Sequence, residues 1–570
     1  MSVIRKLQLS PHIFTKMSKL QFLYFPSKYN QDGLSLLPHG LQSFPVELRY
    51  VAWMHYPLKS LPKNFSAKNI VMFDLSCSQV EKLWDGVQNL MNLKELKVSG
   101  SENLKELPDL SKATNLEVLD INICPRLTSV SPSILSLKRL SIAYCSLTKI
   151  TSKNHLPSLS FLNLESCKKL REFSVTSENM IELDLSSTRV NSLPSSFGRQ
   201  SKLKILRLRD SGINSLPSSF KNLTRLQYLT VYKSRELCTL TELPLSLKTL
   251  DATDCTSLKT VLFPSIAQQF KENRKEVLFW NCLKLDEHSL KAIGLNAHIN
   301  VMRFAYQHLS APDENYDDYD RTYESYQVKY VYPGGIVPEW MEYKTTKDYI
   351  IIDLSSSPHS SQLGFIFSFV ISGPMVKAIM GYRFTFYITV SDDEDENKKD
   401  SIDIYMSDSI VWVASDHVCV IYDQRCSRYL NSRVKNQTRF KIKVEAMAAA
   451  VAHQRGVGLK GFGVSPINTS AYHNFRKHIN TTAYHNFIQE MNIPADHSFI
   501  QKIKATADHS LIQQMEVPDP LYFIPMLPIF LFISFFLLRG RLCFRHKFFY
   551  VNSCYTAGLL SDYTNSNKLH

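Results

Sequence analysis

The sequence predicts an α/β solenoid curved into a horseshoe, followed by an all-β sandwich and a hydrophobic C-terminal segment. Three observations predict it. An apolar motif returns every 21–23 residues between Leu48 and Val261, strict two-residue alternation replaces it further on, and residues 521–538 carry no charge.

The motif is L-x-x-L-x-L, with further apolar residues behind it. Its first positions are Leu48, Ile70, Leu93, Leu116, Leu137, Leu159, Met180, Leu203, Leu226 and Leu247. A degenerate earlier copy is visible at Leu20, Leu23 and Phe25. In each copy the x-L-x-L segment reads as a short strand whose leucines point inward and whose intervening residues point out. One copy cannot bury its apolar edge alone, so neighbours stack into a parallel ribbon, the logic of leucine-rich repeats.

Four cysteines, Cys124, Cys145, Cys167 and Cys255, lie eight residues after their repeat's first position. That is where such repeats place a small Asn or Cys side chain in the inner turn, so these thiols are expected to be buried and structural. The outward positions form the candidate binding face. On adjacent strands, Arg207, Arg209, Tyr232 and Lys233 should make a basic patch with one aromatic, flanked by Asp184 and Glu165. Arg and Tyr are favoured types at binding hot spots.

Composition narrows the function classes. There are 66 Lys plus Arg against 52 Asp plus Glu, a net charge of +14, and 44% of residues are hydrophobic. That is enough apolar material for a core and too little charge bias to name a partner. Eleven Cys without a CxxC pair indicate neither a disulfide scaffold nor a zinc ribbon. The N-terminus lacks an apolar run of signal-peptide length, so an intracellular, cytoplasmic setting is expected. No nucleic-acid partner is expected, because basic residues are dispersed without stacking motifs. No cofactor or metal set is read either. Asp416, His417 and Cys419 carry reactive groups, but they lie in an apparent strand with no nucleophile motif around them.

After the repeats, Phe384, Phe386, Ile388 and Val390 alternate with polar residues, as do Phe440, Ile442 and Val444. A helix is expected before them, near Glu287–Leu309, and the strands read as a sandwich. Residues 471–518 divide into four twelve-residue copies, AYHNFRKHINTT, AYHNFIQEMNIP, ADHSFIQKIKAT and ADHSLIQQMEVP, read as a duplicated linker. Residues 521–538 reach the lower limit for a membrane span, and Arg539, Arg541, Arg545 and Lys547 follow at once. The expected organisation is a degenerate cap over 1–47, about ten repeats over 48–262, and the sandwich over 263–470. The linker over 471–518, a membrane-associated or transmembrane segment at 519–540 and a basic tail at 541–570 complete it.

The stretches LRYVAWMHYPLKSLPKNF (48–65), VEKLWDGVQNLMNLKEL (80–96), LKELPDLSKATNLEVLD (104–120) and LPSSFKNLTRLQYL (216–229) closely resemble the repeats of plant TIR-NB-LRR intracellular immune receptors. FWNCLKLDEHSLKAI (279–293) and YVYPGGIVPEWMEYKT (330–345) resemble the jelly-roll/Ig-like domain that follows those repeats. The resemblance makes Pro333, Gly334, Gly335, Pro338 and Trp340 a family motif; read from the residues alone, they form a rigid turn pinned by a half-buried Trp. It also implies a sensing half without the TIR and nucleotide-binding domains. No Gly-Lys dipeptide exists in the sequence, so no GxxxxGK[ST] phosphate loop does either.

The expected function is therefore non-catalytic recognition in plant innate immunity. The concave face and the post-repeat domain would bind a pathogen effector or a guarded host protein, as a truncated receptor or as the partner or decoy of a full-length TIR-NB-LRR receptor. The alternatives are a membrane-associated repeat scaffold, anchored through 521–538, and a fragment of an incomplete gene model.

Overall fold

The computed structural model describes residues 9–479 apart from 26–36, 131–133, 152–154, 311–325, 356–362, 376–382, 392–400, 407–411, 435–436, 451–452 and 457. The chain divides into two compact units, Met1–Ile493 and Pro494–His570. The described residues all belong to the first. The tandem copies beyond residue 479, the apolar run 521–538 and the basic tail lie outside them. Among the described residues no helix is long and apolar enough to cross a membrane.

The degenerate copy forms β1 (Phe22–Phe25), and the first five repeats form β2 (Tyr50–Trp53), β3 (Met72–Asp74), β4 (Glu95–Lys97), β5 (Val118–Asp120) and β6 (Arg139–Ser141). A two-residue strand β7 (Lys149–Ile150) precedes β8 (Phe161–Asn163), and β9 (Glu172–Phe173) precedes β10 (Glu182–Asp184). The last expected copies give β11 (Ile205–Arg207), β12 (Tyr228–Thr230), β13 (Thr239–Leu240), β14 (Thr249–Asp251) and β15 (Thr260–Val261). Each main strand begins two residues after its repeat's first apolar position, and neighbours pair in parallel without slippage. Leu183 sits beside Leu206, Leu206 beside Leu229, and Leu229 beside Leu250.

Two features set the length of a repeat. Seven residues after each first position the backbone turns left-handed, and the residue there is seldom glycine: Ile123, Tyr144, Asp210 and Lys233 have φ between 50° and 60°. One residue later comes the small polar column. Cys145 Sγ donates to the Ile121 carbonyl (3.2 Å), Cys167 Sγ to Ile142 (2.9 Å) and Cys255 Sγ to Val231 (3.0 Å). Ser101 and Ser234 do the same to Leu75 and Leu208. The expected buried thiols are thus rungs of a hydrogen-bond ladder that links these inner turns to the previous repeat; Thr188, at the same offset, instead donates to Leu185 of its own repeat (2.7 Å). On the outer side, 3₁₀ turns Ser195–Arg199 and Ser218–Asn222 start directly after Pro194 and Pro217, and Phe197 stacks on Phe220 with centroids 6.4 Å apart. A Cβ on Gly198 would lie 2.2 Å from the Ser219 carbonyl oxygen, so these turns pack backbone to backbone.

The ribbon continues past residue 262. A further rung, β16 (Glu276–Leu278), pairs with β14 and then with β17 (Gln327–Pro333), both in parallel. Between β16 and β17 runs the expected helix, Glu287–Ser310. Then follow β18 (Tyr343–Thr345), β19 (Tyr349–Asp353), β20 (Gly364–Ile371), β21 (Arg383–Ser391), β22 (Ser401–Tyr405), β23 (His417–Asp423), β24 (Arg439–Ala450), β25 (His453–Gly456) and β26 (Leu459–Ile467). From β17 the same sheet continues antiparallel through β23, β20, β26 and β18. A second sheet, β19-β24-β21-β22 with β25 beside β24, is packed on one face of it through Phe369, Phe386, Ile421 and Ile442. Helix 287–310 covers the other face. With both faces covered, β20 and β23 are buried at every position, which explains why they are mostly apolar instead of alternating. The segment expected as a linker starts as a helix, Thr469–Ile479, docked on helix 287–310 through Tyr472 and Tyr306 (centroids 4.2 Å).

One polar cluster welds the last rung to the β region. Asn281, in the left-handed position (φ 58°), donates its N–H to His417 Nε2 (2.9 Å) and its amide to Asp254 (2.7 Å) and the Trp412 carbonyl (3.0 Å). With Nε2 accepting, His417 Nδ1 carries the proton toward the Ser415 carbonyl (2.8 Å). The imidazole is fully buried beside Trp280, and burial lowers its pKa to about 4.

Two predictions follow from these contacts. Cys167→Val removes a donor to the Ile142 carbonyl and should cost about 1 kcal/mol in urea unfolding, whereas Cys167→Ser, which keeps a donor, should cost less. His417 stays neutral in the fold while the unfolded chain takes up a proton below pH 6.5. Stability should therefore fall between pH 6.5 and about 4 and this contribution level off below, by about 3 kcal/mol in all. Unfolding midpoints across that range should show a shallower decline for His417→Gln than for the native chain.

Candidate concave recognition site

Strand alternation leaves three outward columns, at two, four and six residues past each first position, plus the left-handed residue at seven. Arg207 and Arg209 come from β11 and its turn, Tyr232 and Lys233 from the turn after β12, and the parallel register brings them side by side. The Arg209 guanidinium lies 5.4 Å from the Tyr232 ring centroid, and Lys233 Nζ lies 4.8 Å from it on the same ring. Two cations beside one aromatic ring make a site for anionic or aromatic groups.

Arg207 behaves differently. It is ion-paired with Glu182 on β10, both side chains being about 30% exposed, and it leans toward Tyr228 (5.8 Å). Glu182 and Tyr228 belong to the column two residues past the first position. Sequence reasoning treated the columns at four and six and missed this one, although the same alternation implies it. Further along, Glu276 pairs with Lys329 at 2.7 Å, carrying the column onto β17.

Asp184 also has a local task. Its Oδ1 accepts the Ser186 N–H at 2.8 Å, and Asp74, Asn163 and Asp251 accept the equivalent N–H groups at 2.9, 2.9 and 3.0 Å. The column at four thus caps the strand ends. Burial, followed by the neighbouring Asp184 charge, raises the Glu165 carboxyl pKa, against the pull of Arg209. The expected basic patch is therefore a positive strip bordered by carboxylates: Glu165, Glu182 and Asp184 on one side, Asp251 on the other.

Pro333 closes β17 opposite His417, and Gly334 donates its N–H to the Asp416 carbonyl at 3.1 Å. A Cβ on Gly334 would meet Val418 Cγ2 at 2.9 Å, so glycine is needed for this close approach. Gly335 is exposed beside Asp416. Pro338 accepts the Met341 N–H in a tight turn, and half-buried Trp340 stacks on His298 at 3.9 Å. These contacts make the motif a rigid turn pinned by its Trp. Asp416 is ion-paired with Lys460, His417 is engaged at both nitrogens, and the Cys419 thiol is buried with its pKa raised by desolvation. Among the described residues no group of three or more His, Cys, Asp or Glu could hold a metal ion.

No family model matches the chain. Similarity to curated proteins is extensive. The chain is 36% identical over 255 residues to Disease resistance protein RML1A of Arabidopsis thaliana, covering 44% of this chain and 23% of that protein. It is 34% identical over 315 residues to Disease resistance protein RML1B (51% and 30%) and 36% identical over 190 residues to Disease resistance protein RPS6 (32% and 17%), both of the same plant. The chain thus spans less than a third of the length of these relatives. Among solved structures, a leucine-rich-repeat protein of Leptospira interrogans aligns at 19% identity over 51% of this chain and 92% of that one, with a TM-score of 0.21. Over its repeats the chain is a homologue of the Arabidopsis disease resistance proteins of the TIR-NB-LRR class.

Proposed function

We propose that the chain is a non-catalytic recognition protein of plant immunity, and that its concave face binds a pathogen effector or a guarded host protein. The similarity of the repeats to disease resistance proteins carries this reading. The cluster of Arg209, Tyr232 and Lys233 supplies a contact point with the chemistry of a hot spot. In the same reading the two-sheet region is the jelly-roll/Ig-like domain and supports the ribbon during binding. The chain would signal through a full-length receptor, as its partner or decoy.

Arg209→Ala combined with Tyr232→Ala should weaken capture of a cognate pathogen protein at least tenfold in a pull-down titration, with circular dichroism unchanged. Arg207→Ala is a poorer probe, because it leaves Glu182 without its ion-pair partner. Retained affinity in the Arg209/Tyr232 double variant would remove the patch from the binding site. A second proposal is membrane association through 521–538, resting on the eighteen charge-free residues followed by four basic ones. Deleting 519–570 should then move the protein from the membrane pellet to the soluble fraction; an unchanged distribution would discard it.

A further inference from the structure

The helix Thr469–Ile479 fills a groove built by Phe270, His298, Tyr306 and Trp340. Its Phe475 ring meets His298 at 4.3 Å and Phe270 at 6.4 Å, and Tyr472 stacks on Tyr306 at 4.2 Å and 16°. His298 is held from its other side by Trp340. Ile479, one turn on from Phe475, is completely buried. The helix is started by Asn468, whose Oδ1 accepts the Ala471 N–H at 2.7 Å. Spacing of 472, 475 and 479 puts the three docking side chains on one helical face.

Every one of these features occurs again twelve residues later in the sequence. Asn468-Thr469-Ser470-Ala471-Tyr472-His473-Asn474-Phe475 is followed by Asn480-Thr481-Thr482-Ala483-Tyr484-His485-Asn486-Phe487, and Ile479 is matched by Met491. The duplication therefore copies the cap, the tyrosine, the phenylalanine and the apolar residue at the end of the face. The third and fourth copies differ where it matters: Asp496 and Asp508 stand in the place of Tyr472. A carboxylate there would lose the ring stack on Tyr306 and the apolar contact area that goes with it.

We propose that residues 480–491 are a second ligand for this groove and can replace residues 468–479 in it, so that the docked register moves by one twelve-residue copy. In a single chain the first copy has priority, because it follows directly on β26. Docking the second copy closes a loop of about twelve residues, which disfavours it roughly 40-fold by loop-closure entropy. Anything that removes the first copy from the groove hands the site to the second.

Hydrogen exchange of the full-length chain, read by mass spectrometry, tests this. In the native chain the amides of 472–479 should exchange slowly and those of 484–491 at least tenfold faster. In the Tyr472→Ala/Phe475→Ala variant, protection should pass to 484–491, and adding Tyr484→Ala/Phe487→Ala should abolish it at both copies. A synthetic peptide of residues 480–493 should bind the fourfold variant, while the same peptide with Asp in place of Tyr484 should bind at least tenfold more weakly. Absence of protection at 484–491 in the double variant, with the peptide failing to bind the fourfold variant, would overturn the proposal. So would protection at 484–491 that is already equal to that of 472–479 in the native chain.

Discussion

No repeat of this ribbon can bury its own apolar residues, and the rest of the structure follows from that constraint. Leu183, Leu206, Leu229 and Leu250 stack as one column only because each strand stays in register with the next. Register in turn is held at the inner turns, where a Cys or Ser side chain donates to a carbonyl of the previous repeat. A leucine there would offer no donor, and a long polar chain would not fit the fully buried site occupied by Cys167. The ladder therefore fixes both the size and the chemistry of one residue per repeat.

A stacked ribbon has to end, and an exposed last rung would present bare apolar surface and unpaired backbone groups. Here the ending is a change of partner. β16 pairs in parallel with β17, and β17 then pairs antiparallel with β23, so the ribbon becomes one sheet of the β region without a break. Leu250, Val277, Tyr330 and Tyr422 accordingly lie in one continuous core. Asn281 and His417 fasten the same junction with hydrogen bonds. The β region is best understood as the cap of the solenoid as well as a domain in its own right.

Much of this was legible in the sequence. The leucine spacing located β2–β6, β8, β10–β12 and β14, though not the two-residue strands β7, β9 and β13, and the cysteine offsets located half of the ladder; its serines are too common a residue type to stand out alone. The rung β16 escaped because Arg274 occupies the position that a leucine holds elsewhere. That arginine is buried against Glu272 (2.7 Å), whose other oxygen accepts from Asn296 (2.8 Å), so a polar network replaces the apolar signal. The helix at 469–479 opens the segment expected as a linker: Phe475 and Ile479, four apart, mark an amphipathic turn, but the twelve-residue period reads as duplication. Its apolar face becomes meaningful only against Tyr306 and His298, about 170 residues earlier. At the concave face, alternation placed Arg207 and Arg209 beside Tyr232 and Lys233 but could not show that Arg207 is committed to Glu182.

Pairing within the fold, as of Arg207 with Glu182, decides which positions of the concave face are open to substitution. Residues in the column at four are partly bound to their own turns, as Asp184 is to Ser186, and a replacement there must supply the same acceptor. Inward positions are closed to change by packing, and the ladder position by its donor. The columns at two and six and the left-handed residue, where Tyr228, Arg209, Tyr232 and Lys233 stand, are freer except where a side chain is paired, as Glu182 and Glu276 are in the column at two and Asn122 is in the column at six. The left-handed backbone at Lys233 (φ 60°) tolerates many residue types across the repeats, including Ile123, Tyr144 and Asp210 at the same offset. A surface built from these positions can be rewritten residue by residue while the strand register and the ladder beneath it stay unchanged. Arg209, Tyr232 and Lys233 occupy positions of that kind, while Arg207 and Asp184 are constrained by partners within the fold.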